Sequence, residues 1–177
     1  QNGLYQHFVT IADNSPVPVI LYNVPSRTGS NIAAETTLRL ATHKNIVGIK
    51  EASGNIDQIM AILRDRPAGF SVLSGDDSLT LALLGLGANG VISVMANALP
   101  KQMSQMVLAV EQGRLDEARQ LHYSMMEVMK LIFAEGSPAG IKAILKQMGI
   151  SSDTVRLPLT TVSESLENRL KEQMMNF

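Results

Sequence analysis

Apolar residues recur along this chain in two alternating rhythms. Leu4, Phe8 and Ile11 or Ala12 stand three to four residues apart, the spacing of a helix with one apolar face, and Asp13-Asn14-Ser15-Pro16 ends it. The run from Val17 to Val24 is apolar up to Tyr22 and reads as a strand, closed by the loop signal Pro25-Ser26-Arg27-Thr28-Gly29. Asn31 is placed to cap a helix to about Thr42, with Ile32, Thr36 and Leu40 on one stripe. Ile46-Val47-Gly48-Ile49 then leads into Lys50 before Ser53-Gly54-Asn55 breaks the chain, the pattern of a short strand buried on both faces. Ile56, Ile59, Met60 and Leu63 mark a helix that stops before Pro67, and Phe70 to Ser74 forms a third strand ended by Gly75-Asp76-Asp77. A helix from about 78 to 85 leads to a fourth strand at Gly90-Val91-Ile92-Ser93-Val94.

Strand, loop and helix thus follow one another four times. Alternation of buried strands with helices of 8 to 12 residues demands right-handed crossovers and a parallel sheet. The expected strands lie near 17–24, 45–50, 69–74 and 90–94, within a first region 1–97. From 98 to 177 only helical patterns remain, at about 99–112, 114–134, 138–148 and 163–175, punctuated by Gly113, Gly136-Ser137-Pro138 and Leu157-Pro158. The stripe Leu115, Ala118, Leu121 and Met125 reads equally as core of this helical extension or as a contact between subunits.

Composition narrows the class. The chain has 177 residues, a formal net charge of -1 with acids and bases mixed, and no cysteine. This excludes disulfides and thiolate metal sites and argues against a nucleic-acid partner. His7, His43 and His122 fall into no ligand spacing, so no metal site is expected, and each reads as a surface or helix residue. No apolar stretch approaches the roughly 20 residues of a membrane span and no basic-then-apolar segment opens the chain, so a soluble cytoplasmic protein is expected. The ten methionines read as adaptable helix packing. The chain opens already in helical register and without Met, as one entered partway.

Lys50 is the first candidate for chemistry. At the C-terminal end of a parallel strand it stands where loops build active sites, and a partly desolvated amine there can attack a carbonyl to form a Schiff base. The alternative is a lysine that snorkels into water. Tyr22 ends the neighbouring strand, so its phenol can relay protons to that amine, or be a half-buried aromatic with its hydroxyl in solvent. Arg27 follows directly; its planar fork suits a substrate carboxylate, although taken alone it reads as a surface arginine. Gly75 ends the third strand, with Asp76 or Asp77 expected to cap the next helix. Ile92 can line the site through its carbonyl while its side chain packs in the core.

Four ordered blocks carry a family resemblance: Leu21-Tyr22-Asn23-Val24-Pro25-Ser26-Arg27-Thr28-Gly29, Gly48-Ile49-Lys50-Glu51-Ala52-Ser53-Gly54, Leu73-Ser74-Gly75-Asp76-Asp77 and Gly90-Val91-Ile92-Ser93-Val94. With these blocks the chain resembles the dihydrodipicolinate synthase family, of the N-acetylneuraminate lyase and class I pyruvate aldolase superfamily, from Gly3 to its end. The resemblance implies an α/β fold, the C-terminal half of a (β/α)8 TIM barrel over 1–97 followed by an all-helical extension over 98–177. It implies a lyase of the diaminopimelate and lysine pathway that condenses pyruvate with aspartate semialdehyde. The lysine matching Lys50 forms the pyruvate Schiff base and the tyrosine matching Tyr22 relays protons. The arginine matching Arg27 holds the aldehyde's carboxylate, and the positions of Ile92 and Gly75 bind substrate. The covalent imine needs no further cofactor, no membrane or nucleic acid is involved, and the family is commonly a homo-oligomer, tetramer or dimer.

N-acetylneuraminate lyase and the 2-keto-3-deoxy acid aldolases share the imine; the Arg27 loop, suited to a short acidic aldehyde, favours the synthase. The family's first four strands, with a Gly-Thr-Thr-Gly-Glu loop and a tyrosine reaching across a subunit interface, have no counterpart here. The resemblance covers about the last three-fifths of such an enzyme, so a non-catalytic module is the competing expectation. Four parallel strands cannot close a barrel, and self-association or a complementing piece is expected to cover the open edges.

Overall fold

The computed structural model describes residues 1–177, which form two compact units, Gln1–Ile92 and Ser93–Phe177. The first unit runs α1 (Asn2–Asn14), β1 (Val19–Asn23), α2 (Pro25–Thr28), α3 (Ala34–Leu40), β2 (Ile46–Glu51), α4 (Ile56–Asp65), β3 (Ser71–Ser74), α5 (Thr80–Gly85) and β4 (Gly90–Val91). Its four strands make one sheet in the order β1-β2-β3-β4, every pair parallel. Four successive β/α units in chain order are the architecture of the C-terminal half of a (β/α)8 barrel.

Register determines which residues meet. Leu21, Ile49 and Val72 share one rung, Tyr22, Lys50 and Leu73 the next, and Asn23, Glu51 and Ser74 the third. Because side chains alternate between faces, the first and third rungs point one way and the second the other. The Leu21-Ile49-Val72 side is buried with Ile32, Leu40, Ile59, Ile62 and Leu83, against which Leu4, Tyr5 and Phe8 of α1 also pack. On the opposite face Tyr22 stays 41% exposed and Ile20 is exposed as well. In strand β2 the successive residues Gly48 and Ile49, which point to opposite faces, are both buried and Lys50 is half-buried, so the strand is largely enclosed, as its unbroken apolar run suggested. The helices of this unit pack on the Leu21-Ile49-Val72 side.

Four local expectations are corrected. The residues after Tyr22 are not a plain loop: Pro25, with its φ already helical, starts the short helix α2, and Gly29 N–H closes it on the Pro25 carbonyl. Asn31 does not cap the next helix, which starts at Ala34 without a side-chain cap; its amide is engaged by Asn23 and Gln58 instead. Neither Asp76 nor Asp77 is the cap of α5, whose N-cap position is Leu79. Asp76 folds onto Ser78, accepting from its N–H at 3.0 Å and its hydroxyl at 2.8 Å. Strand β4 stops at Val91, so Ile92 lies one residue beyond it with its side chain 42% exposed rather than in the core.

The second unit contains a 3-10 turn (Met95–Asn97) and α6 (Pro100–Glu111), α7 (Leu115–Leu131), α8 (Ala139–Gln147) and α9 (Glu164–Met174). Its core is rich in methionine: Met95, Met103, Met106, Met125 and Met129 are all buried, unbranched side chains that fill gaps between helices. Ala118 and Met125 of α7 belong to this core, while Leu115 is exposed. His122 is a helix residue but not a surface one; it is buried with Nδ1 unpartnered, and burial pushes its pKa down. Ser163 caps α9 through Leu166 N–H and donates its own N–H and hydroxyl to Glu135, whose carboxyl these bonds hold below its usual range. No helix of the chain is long and apolar enough to cross a membrane.

Candidate active site

Tyr22 and Lys50 are direct neighbours across the β1–β2 pair, one residue short of both strand ends. The lysine stem runs along the opposite face, half-buried, and Nζ stands 4.2 Å from the centroid of the Tyr22 ring. The ammonium meets the face of the ring, the side that carries the negative part of the aromatic quadrupole. A flexible four-carbon stem is thereby held to one direction.

Gly75 closes the other side of the stem. Its N–H donates to the Glu51 carbonyl at 2.7 Å. A Cβ on residue 75 would come within 3.0 Å of Lys50 Cε and 2.9 Å of Ala52 Cβ, so only glycine leaves the lysine its present path. The loop beyond is tied down by Ser74, whose hydroxyl donates to the Asp76 carbonyl at 2.8 Å and lies 3.1 Å from the Thr80 hydroxyl.

Ile92 joins this edge through its backbone, its N–H donating to the Ser74 carbonyl at 2.9 Å. Arg27 lies on α2, exposed, on the connection that leaves β1. The structure therefore brings Tyr22, Lys50 and Gly75 into one cluster, attaches Ile92 by a main-chain bond, and leaves Arg27 outside these contacts.

A set of buried polar residues lies on the third rung, directly behind the cluster. Glu51 has no exposed surface. One carboxylate oxygen accepts from Asn23 Nδ2 at 2.5 Å and Gln58 Nε2 at 3.0 Å; the other accepts from Ser53 N–H at 2.9 Å and Ser53 Oγ at 2.6 Å. Asn23 Oδ1 in turn accepts from Ile32 N–H at 3.0 Å, and Asn31 bonds both Asn23 and Gln58. Glu51 stands inside the second motif block, where its local pattern assigns it no role. The available signal was an acidic residue ending an apolar strand with an asparagine at the corresponding end of the strand before it.

A model of the dihydrodipicolinate synthetase family matches residues 1–176. The chain belongs to that family. The 4-hydroxy-tetrahydrodipicolinate synthase of Flavobacterium psychrophilum is 52% identical over 171 residues, 96% of this chain and 58% of that protein. Among solved structures, the dihydrodipicolinate synthase of Aquifex aeolicus is similar with a TM-score of 0.95 at 41% identity, over 99% of this chain and 60% of the other. That of Acinetobacter baumannii, solved in complex with pyruvate, is similar with a TM-score of 0.94 at 37% identity, over 99% of this chain and 60% of the other. The chain thus spans about three-fifths of the length of these members of the family.

Proposed function

We propose that this chain carries the Schiff-base half of a 4-hydroxy-tetrahydrodipicolinate synthase active site, which joins pyruvate to aspartate semialdehyde. The observation that carries the reading is the pairing of Lys50 Nζ with the Tyr22 ring at the C-terminal rim of parallel strands. In the proposed reaction the neutral Lys50 amine attacks the ketone carbon of pyruvate, water leaves, and the imine loses a methyl proton to become an enamine. The enamine carbon then attacks the aldehyde. The imine is the electron sink, so the reaction draws on no separate cofactor.

Tyr22 is assigned the proton transfers at the carbinolamine and imine stages, since its ring already flanks Nζ. Arg27, exposed beside the rim, is assigned the carboxylate of the aldehyde by its fork geometry. Gly75 and the Ile92 backbone are assigned the floor under the pyruvate carbon skeleton. The relative from Acinetobacter baumannii, crystallised with pyruvate, supports the choice of first substrate.

Incubation with pyruvate and cyanoborohydride, followed by intact mass and peptide mapping, tests the reading. The expected result is a single reduced pyruvyl adduct on the peptide containing Lys50, absent from Lys50→Ala. An adduct spread over exposed lysines, or none on folded protein, overturns it. In turnover assays Arg27→Ala should raise KM for aspartate semialdehyde and leave that for pyruvate nearly unchanged.

A further inference from the structure

We propose that Glu51 is a positioning residue for the Lys50 site: its buried carboxylate is the clamp that fixes the ends of β1 and β2 and so holds Nζ over the Tyr22 ring. The inference rests on the imine reading of Lys50 for its reaction readout, and on geometry for the rest.

An ionised carboxylate is acceptor-only, and four donors converge on this one: Asn23 Nδ2, Gln58 Nε2, Ser53 N–H and Ser53 Oγ. They come from three places, the end of β1, the loop after β2 and the first turn of α4. A fourth segment is drawn in through Asn31 and Ile32, which bond Asn23 and Gln58. No Lys, Arg or His forms an ion pair with Glu51. A charge taken out of water and met only by dipoles is costly unless every acceptor position is filled, so the four partners have little freedom to move.

That restraint reaches the site through the main chain. Asn23 and Glu51 face each other in register, as do Tyr22 and Lys50 one residue earlier. Anchoring residues 23 and 51 on the helix side fixes the backbone from which 22 and 50 emerge on the other side. Glu51 also accepts through its main-chain oxygen from Gly75 N–H, the residue that closes the second flank of the lysine stem. One residue therefore braces both walls of the channel in which Lys50 lies, without touching Nζ.

Glutamine at position 51 would keep the shape but turn an NH2 group toward donors, and Ser53→Ala would remove one donor while leaving the carboxylate. The experiment compares both variants with the parent. It measures the rate of cyanoborohydride trapping at saturating pyruvate, the pyruvate concentration for half-saturation, and reductive methylation of Lys50 relative to exposed Lys44 with formaldehyde. The expected result for Glu51→Gln is trapping slowed about tenfold or more with half-saturation little changed, since misplacement of a reacting group by a fraction of an ångström acts on rate. Lys50 methylation, slower than that of Lys44 in the parent, should approach it in the variant. Ser53→Ala should give a smaller change in the same direction, and it decides the matter if Glu51→Gln does not fold by circular dichroism. A purely structural Glu51 would lower stability and leave rate and methylation ratio as in the parent in every folded variant, and that outcome overturns the proposal. If the parent itself gives no adduct, the imine reading fails, while the Lys50 to Lys44 ratio still judges the clamp.

Discussion

The two faces of the sheet carry opposite chemistry on adjacent rungs. On the helix side Asn23, Glu51 and Ser74 are buried, and their polar atoms meet partners on three or four segments of chain. On the other side Tyr22, Lys50 and Leu73 are half-open, and their defined polar contact is a single ammonium over a ring. The first arrangement is stiff because each buried donor or acceptor that lost its partner would have to be desolvated for nothing. The second holds fewer fixed polar contacts, with Tyr22 exposed and Lys50 half-buried. Back to back, the two set the Lys50 stem on a rigid base.

The sharpest way to break this comparison is to remove one polar group from each face and measure unfolding in urea. Glu51→Ala should cost about 3–5 kcal/mol, because several buried donors lose their acceptor at once. Tyr22→Phe keeps the ring under Nζ and should stay within about 0.5 kcal/mol of the parent. Equal costs for the two would show that the faces are not energetically distinct.

Gly48 tests the sheet between the faces. A Cβ there would lie 2.7 Å from the Ser71 carbonyl oxygen, a main-chain atom that cannot swing away. Gly48→Ala should cost about 1–3 kcal/mol by forcing β2 and β3 apart. Trapping at Lys50 should slow as well, because the Tyr22-Lys50-Leu73 rung spans the same strands. Unaltered stability would mean that the β2–β3 approach is not tight.

The smallest effect sharpens the rule about buried polar atoms. Glu51 has all its partners, whereas His122 in the second unit has a buried Nδ1 with none, and burial lowers its pKa from the ordinary 6.5. Below that value the unfolded chain binds a proton that the folded imidazole resists, so stability falls as pH drops through 6.5 toward the folded pKa and then levels off. Urea midpoints measured between neutral and mildly acidic pH should decline for the parent and decline less for His122→Leu. Glu135 and Asp153, whose carboxyls are held low by Ser163 and Lys146, add a separate loss at more acidic pH, as each is protonated. An identical slope in His122→Leu would remove the histidine from the mild-acid step.

Much of this was legible in the chain. Helical and strand rhythms are local, and the eight longer helices and four strands fall within a few residues of where apolar spacing and Gly or Pro breaks set them. The pairing of Tyr22 with Lys50 followed from both ending successive strands, and parallel register delivers it. Single residues whose partners are distant in sequence were misjudged. Asn31 has a helix-cap composition and position, yet Asn23 and Gln58 outbid the local N–H groups for its amide. Helix α2 is a single turn, too short for any periodicity to reveal.

What the sequence determined by itself is the succession of elements, the parallel sense of the sheet and the rim on which Lys50 stands, because each depends on residues close together in the chain. The tertiary structure alone decided how the lysine is held between a tyrosine ring and a bare glycine, and why an acidic residue is tolerated beside it. Those depend on register and on donors brought from up to 28 positions away, as Asn23 is to Glu51, and no local pattern encodes a contact whose two halves are set by the folding of everything between them.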